Sequence, residues 1–199
     1  MAITKIKGTS SFTNLTKYDS FLAGNAAYSP VAFESIASAT GTGSSGTITF
    51  SSIPSTYTSL QIRGIMRTDG GTTANIILNG DTGSNYASHQ LYGDGTAAGA
   101  GGVASSTSIT NGGILGYGSA AAANLVGVFI LDIHDYASTT RNKTTRIFTG
   151  RDDNSTATFL RLGSGLWMST AAVTSVSIVA ASGNFTNQTS FALYGIKGA

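Results

Sequence analysis

The segment Leu125–Tyr136, which reads Leu-Val-Gly-Val-Phe-Ile-Leu-Asp-Ile-His-Asp-Tyr, constrains the fold more than any other part of the chain. Its first seven residues are apolar except Gly127, which predicts a central β-strand with both faces covered. After them polar and apolar residues alternate, so we expect the end of this strand to emerge into solvent. The polar segment 137–143 then predicts a turn, and the segment 144–149 predicts a second strand that completes a hairpin.

The composition favours strands and turns over helices. The chain has 26 glycines and two prolines, and Glu34 is its only glutamate, so strong helix formers are scarce. A chain of 199 residues with 41% hydrophobic content can bury one sizeable core. About ten short segments with strand character lie between glycine-rich turns. We therefore predict an all-β fold, an antiparallel jelly-roll-type β-sandwich over residues 34–199, preceded by an extended N-terminal arm over residues 1–33.

Charge and residue usage exclude several classes of function. The net charge is only +2 and the basic residues do not cluster, which argues against nucleic acid as a partner. No apolar run is long enough for membrane insertion, and the N-terminus has no continuous apolar region of a signal peptide. The absence of cysteine is compatible with folding in a reducing cytoplasm. A surface built from hydroxyls and glycine suits a protein packed against copies of itself or against other proteins.

The first 33 residues differ from the remainder. Ser29-Pro30 forces an extended or turned backbone before the predicted domain. Apolar residues recur at helical spacing before it, which predicts a short helix near 14–23: Phe12, Leu15, Tyr18 and Leu22. This arm is interpreted either as a strap on the domain or as an anchor that docks on a neighbouring protein.

Two motifs match enzymes by letter and not by context. Gly41–Gly46 fits the dinucleotide-binding pattern, but Thr47–Ser51 after it alternates with period two and predicts a strand where that motif needs a helix. Asp81-Thr-Gly83 has the letters of the aspartic-protease triplet. It lies between Asn79-Gly80 and Ser84-Asn85, which are turn residues, so a turn is the preferred interpretation.

Several further elements are predicted from alternation and turn residues. Leu60–Arg67 and Ala74–Leu78 are expected to pair as a hairpin around Asp69-Gly-Gly71. Gly93–Gly102 is interpreted as a flexible loop that follows a strand at 86–92. Weak strands are expected at 103–110 and 114–117, separated by Asn111-Gly-Gly113. The only tryptophan, Trp167, is expected to be a largely buried core anchor.

The best candidates for chemistry lie at the end of the central strand. Asp132 and His134 share a strand face and Asp135 follows, so a cation between them is one interpretation, but a metal needs further ligands and His89 is the only other histidine. A salt bridge or turn cap at the strand end is the preferred interpretation. Two other acidic residues suit either a calcium site or an ordinary turn: Asp152 and Asp153. We assign no catalytic, cofactor-binding or metal-binding residue and expect no enzyme and no cofactor.

Five blocks of the sequence, in order, resemble a family of small glycine-, serine- and threonine-rich structural proteins of tailed-phage virions. These proteins are often labelled tail-fibre-like and are frequent among phages of aquatic bacteria, including cyanobacteria. The resemblance covers most of residues 18–198. It is carried by residues 47–60, 79–86, 132–138, 165–168 and 190–198.

The resemblance implies a non-enzymatic virion component that is assembled in the host cytoplasm and forms a homo-oligomer, commonly a trimer. The first hypothesis is a tail fibre or receptor-binding component, in which residues 1–33 anchor the domain to other virion proteins and glycine-rich loops face a host surface glycan. The second is a capsid cement or decoration protein that stabilises the head. Exposed aromatic or Asp residues around the loops would favour the first, and a flat polar underside would favour the second.

Overall fold

The computed structural model of the protein describes residues 33–155 and 158–197. The chain divides into two units, Met1–Ala32 and Phe33–Ala199, and all the strands given below belong to the second unit. The predicted helix near 14–23 and the predicted arm, apart from Phe33 at its end, lie outside the described residues. Within the described residues no helix is long and apolar enough to cross a membrane.

The described residues form β-strands connected by turns. The strands are β1 (Phe33–Thr40), β2 (Thr47–Phe50), β3 (Ser59–Met66), β4 (Thr73–Leu78), β5 (Tyr86–Gly93), β6 (Ala98–Ser106), β7 (Ile109–Leu115), β8 (Gly127–His134), β9 (Lys143–Arg151), β10 (Phe159–Trp167), β11 (Val176–Ala180) and β12 (Ser190–Ile196). Strand β1 was not predicted from the sequence, because its polar residues carry little alternation.

The strands form two antiparallel sheets. An eight-stranded sheet has the order β1-β12-β3-β8-β9-β10-β5-β6, and a four-stranded sheet has the order β2-β11-β4-β7. At most connections the chain crosses from one sheet to the other. The prediction of an all-β antiparallel β-sandwich is therefore confirmed, while the jelly-roll type of connection stays a prediction.

One hydrophobic core lies between the sheets. Each sheet contributes the inward-facing side chains of its strands, as the period-two alternation requires. The eight-stranded sheet contributes Leu60, Ile62, Met66, Phe129, Leu131, Ile133, Ile147, Trp167, Phe191 and Leu193, and the four-stranded sheet contributes Ile48, Phe50, Ile76, Leu78, Ile109, Ile114, Val176 and Ile178. Edge-to-face contacts of Phe191 with Phe129 and Phe185, at centroid separations of 5.2 and 5.4 Å, order the rings in this core.

The prediction for the central strand is correct in position and wrong in burial. Strand β8 lies inside the eight-stranded sheet between β3 and β9, and it forms the predicted hairpin with β9. Only its inward face is covered by the described residues, because Val128 and Ile130 on the other face are exposed. The continuous apolar run therefore reflects an exposed apolar surface on one side of the sheet.

The predicted hairpin of residues 60–78 is also wrong. Both strands exist, but β3 lies in the eight-stranded sheet and β4 in the four-stranded sheet. The segment between β3 and β4 crosses from one sheet to the other. In it, Arg67 and Thr68 form isolated β-bridges with Tyr117 and Phe185. The glycines at 70 and 71 lie against Ser182 and Gly183 and so serve a close approach between chain segments.

The glycine-rich segment 93–102, predicted to be a flexible loop, is half strand. Residues from Ala98 onward belong to β6, which pairs with β5. A Cβ at Gly102 would lie 2.6 Å from the ring of His89, so the His89 side chain occupies the space over β6 and would have to move to admit a larger residue. Strand β7 likewise runs through Asn111–Gly113, where its register with β4 shifts.

Gly165 lies at a close approach of the two sheets. A Cβ at Gly165 of β10 would lie 2.7 Å from Ile109 Cδ1 of the opposite sheet and 2.6 Å from Thr145 Oγ1 of the neighbouring strand. A Cβ added to Gly93 of β5, the strand that pairs with β10, would have nothing within 4 Å. These two glycines therefore differ in whether the fold requires them.

We expect Gly165→Ala to lower the free energy of unfolding by about 1–3 kcal/mol, because the added methyl group overpacks the contact between the sheets. Gly93→Ala is the matched control and should leave stability within about 0.5 kcal/mol of the parent. Urea unfolding followed by circular dichroism measures both. Equal effects of the two substitutions would contradict the close approach at Gly165.

Candidate functional site

The outer face of the eight-stranded sheet is the most distinctive surface of the described residues. Seven large apolar side chains on it are between 38% and 62% exposed. They come from five neighbouring strands and are called here the apolar band: Ile65, Leu91, Val128, Ile130, Phe148, Leu160 and Leu162. Exposed large apolar residues are normal one at a time, whereas a contiguous group of them marks a surface that binds something.

The strand register shows that the apolar band is continuous. Cross-strand pairing places Ile130 beside Phe148, Phe148 beside Leu162 and Leu162 beside Leu91. Directly opposed residues on one face of a sheet have Cβ atoms roughly 5 Å apart, so these four form an unbroken row. Ile65, Val128 and Leu160 form a second row alongside, with Gly150 between the last two.

Two grooves indent this face. One, of about 600 Å³, is bordered by Leu91, Leu162, Ala100, His89 and Arg146. The other, of about 630 Å³, is lined by Gly93, Gly150, Val128, Leu160 and Arg151, and the Leu160 side chain stands between the two glycines. The second groove exists where Gly150 and Gly93 interrupt a row of large side chains. The volumes of the two grooves fall in the range of small-molecule sites; the first groove has a mostly apolar lining, whereas Arg151, Asp152 and Thr158 make the lining of the second more polar.

A polar row borders the apolar band. The Asp132 carboxylate accepts a hydrogen bond from Gln61 Nε2 at 2.6 Å and from Arg146 Nη2 at 3.1 Å. Gln61 also accepts from Arg63 Nε, and the guanidinium of Arg63 lies over the ring of Phe33 at 5.2 Å from its centroid. Exposed ion pairs stabilise a fold by little, so this row fixes side-chain positions more than it contributes stability.

The three residues singled out at the end of the central strand do not converge. Asp132 is held in the polar row, whereas Asp135 forms an ion pair with Arg141 in the turn after β8. His134 is exposed at the end of the strand. No group of three or more His, Cys, Asp or Glu side chains among residues 33–155 and 158–197 is placed to hold a metal ion. Ion pairs at the strand end agree with the preferred interpretation of these residues.

The other sequence candidates lie apart from one another. His89 is exposed on β5 beside the first groove. Asp152 and Asp153 each accept a hydrogen bond from a backbone N–H two residues onward, Asn154 and Ser155 respectively, which is turn geometry. The segment Gly41–Gly46 leads into strand β2, as predicted, and supplies no helix N-terminus.

Asp81 serves the core. Its carboxylate accepts hydrogen bonds from Trp167 Nε1 at 2.7 Å, from Asn85 Nδ2 at 2.9 Å and from the Gly83 N–H at 2.8 Å. Trp167 is buried as predicted and stacks on Tyr86. These three donors, with the indole first, hold the pKa of Asp81 below its ordinary value.

Two buried cations carry structural roles that the sequence did not reveal. The Lys143 ammonium donates to the carbonyls of Ser138, Arg141 and Thr170 at 2.7, 2.6 and 3.2 Å, and burial lowers its pKa. These bonds use all three of its donors. Arg67 donates to three carbonyls in the segment 121–125 before β8. Nothing in the spacing of either residue distinguishes it from a surface cation.

Comparisons of the chain with protein-family models, with curated proteins and with solved structures give no match. The assignment of a function therefore depends on the geometry of the outer face and on the resemblance described above.

We expect Asp81→Asn to destabilise the fold at neutral pH and to lose this effect in acid. Because the pKa of Asp81 is lower in the folded chain, its charged form stabilises the fold above its ordinary pKa of about 3.9, and this contribution disappears as the pH falls through the folded value. Urea unfolding monitored by the fluorescence of Trp167 at several pH values measures the gap between the two proteins. A gap that stays constant down to acid pH would contradict the assignment.

Proposed function

We propose that the protein is a non-enzymatic structural component of a tailed-bacteriophage virion. The observation that supports this is the apolar band on the outer face of the eight-stranded sheet. Proteins that work alone rarely expose a contiguous apolar patch of more than a few hundred Å². Such a surface, on a rigid sheet, suits a subunit of an assembly.

The surroundings of the band support an assembly role over small-molecule chemistry. Side chains of both charges, Asp132 and Arg146, lie in the polar row beside the apolar centre. An apolar centre with a polar rim is the usual anatomy of a protein–protein contact. The residues that chemistry would need are separated: Asp81 is engaged with the core, and His89 and His134 stand on different strands.

Within the virion, we propose a tail fibre or receptor-binding component, because the resemblance points to tail-fibre-like proteins. In this role residues 1–33 attach the domain to other virion proteins. Host glycan as a ligand draws no support from aromatic residues in the described loops. Among the described residues outside the strands, Tyr117, Tyr136 and Phe185 are buried and Tyr57 is partly buried against the core, so of the expected features only exposed aspartates, such as Asp152 and Asp153, are present.

One observation favours the second candidate, a capsid cement or decoration protein. Seven of the nine exposed large apolar residues in the described part of the chain lie on a sheet face and not at the loop ends. A broad face suits a subunit that is seated across neighbouring proteins and stabilises them by burial. A cement protein is expected to have a flat polar underside. On this face the polar part is the row that contains Asp132 and Arg146.

Immunogold electron microscopy of intact virions, with an antibody raised against residues 33–199, tests the proposal. Label at the tail is expected for the fibre role, and label over the head would establish cement in its place. Purified virions that bind no gold and contain none of the chain by immunoblot would overturn both. An antibody against a known head protein serves as the control for particle integrity.

We expect a chain that lacks residues 1–30 to keep a folded β-sandwich and to fail to enter the particle. The physical reason is that every core residue described above lies within Phe33–Ala199. Thermal melting by circular dichroism measures the first expectation and immunoblotting of purified virions the second. Loss of cooperative melting in the shortened chain would show that the segment is part of the core.

A further inference from the structure

We propose that the apolar band is the contact surface between copies of this chain, so that the band of one copy packs on the band of another. This inference rests on the proposed assembly role and names the partner at that surface. Three properties of the outer face favour a second copy over other occupants: its area, its shape and its charge.

The area suits a protein partner. Seven side chains that are each about half exposed present on the order of 600 Å² of surface, and the adjoining polar row brings the face near the ~800 Å² per partner of a stable protein–protein interface. A small apolar ligand in either groove would leave most of the band in water. The face as a whole is therefore matched by another folded surface.

The shape of the face is complementary to itself. Phe148 is 51% exposed and projects from β9, and two residues further along the same strand Gly150, which has no side chain, lines the second groove. Residues two apart on a strand point to the same side, so projection and groove lie next to each other on one face. When two such faces meet, the Phe148 ring of one copy is placed to fill the part of the second groove over Gly150 of the other.

The charges beside the band are also matched by a second copy. Arg146 and Asp132 are neighbours in the polar row, with Arg146 the more exposed of the two. A partner surface that carried mainly positive or mainly negative charge would repel either Arg146 or Asp132. A second copy presents the same pair, so its Asp132 can meet Arg146 and its Arg146 can meet Asp132.

Size-exclusion chromatography with light scattering on the full chain tests the proposal. A contact in which both copies use the same band joins two chains, so we expect the parent protein at micromolar concentration to give twice its 20.2 kDa mass; a threefold mass would require a different contact and would overturn this pairing. Phe148→Asp places a charge in the contact and should return the mass to that of a single chain. Gly93→Leu fills the groove and should do the same, since Gly93 has open space around it.

Thr47→Asp is the matched control. It introduces the same charge at an exposed strand position of the four-stranded sheet, and it should leave the oligomer unchanged. Circular dichroism confirms that each variant is folded. If Phe148→Asp fails to fold, Gly93→Leu alone decides the matter.

A parent protein that is monomeric at these concentrations would overturn the inference, as would folded Phe148→Asp or Gly93→Leu variants that keep the parent mass. Loss of the oligomer in Thr47→Asp as well would also count against a contact at the band. Light scattering tests self-association without virions, so its failure is distinct from that of the proposed function. If the protein is a monomer in solution and gold label still finds it on the particle, the virion role is retained. The band would then be the contact surface for another virion protein.

Discussion

Burial of one face of each strand against the opposite sheet is the constraint on which this fold depends. Phe129, Leu131 and Ile133 of β8 point into the core, and their neighbours along the strand must therefore point outward. In an ordinary two-layer sandwich those outward positions are polar. Here Val128 and Ile130 keep the outer side of the same strand apolar, so the sandwich that completes its core also presents an uncovered surface.

Much of the fold could be predicted from local pattern, while sheet membership could not. The alternation in Leu60–Met66 and in Thr47–Phe50 identified β3 and β2 with their buried faces, and the turn at 137–143 identified the β8–β9 hairpin. Whether β4 pairs with β3 or joins the other sheet depends on partners more than a hundred residues away, such as the pairing of Ile76 with Ile178. Hairpin signals at Asp69-Gly-Gly71 carry no information about such partners.

In the candidate site, too, local pattern could be predicted from the sequence and strand pairing could not. An apolar run such as Val128–Leu131 reads identically whether a strand is covered on both faces or exposes an apolar one, so the band was mistaken for burial. Phe148, Leu160 and Leu162 each looked like ordinary strand residues, and only the register places them in one surface. The structural roles of Lys143 and Arg67 could not be predicted from the sequence either. Backbone carbonyls satisfy both cations, and carbonyls have no sequence signature.

The repeated crossing between sheets has a consequence for how the chain reaches its native state. Pairings such as β1 with β12 and β2 with β11 join residues from opposite ends of the described sequence. Closing such distant loops precedes the favourable contacts they make, and domains dominated by non-local pairing fold over roughly milliseconds to seconds. Since β12 must be synthesised before the eight-stranded sheet can close around β3, the core cannot be completed during translation of the first strands. The apolar residues of β1 and β3 that face β12 therefore stay unpaired until β12 has been synthesised, and the scarcity of long apolar runs in this sequence limits the risk of aggregation during that interval.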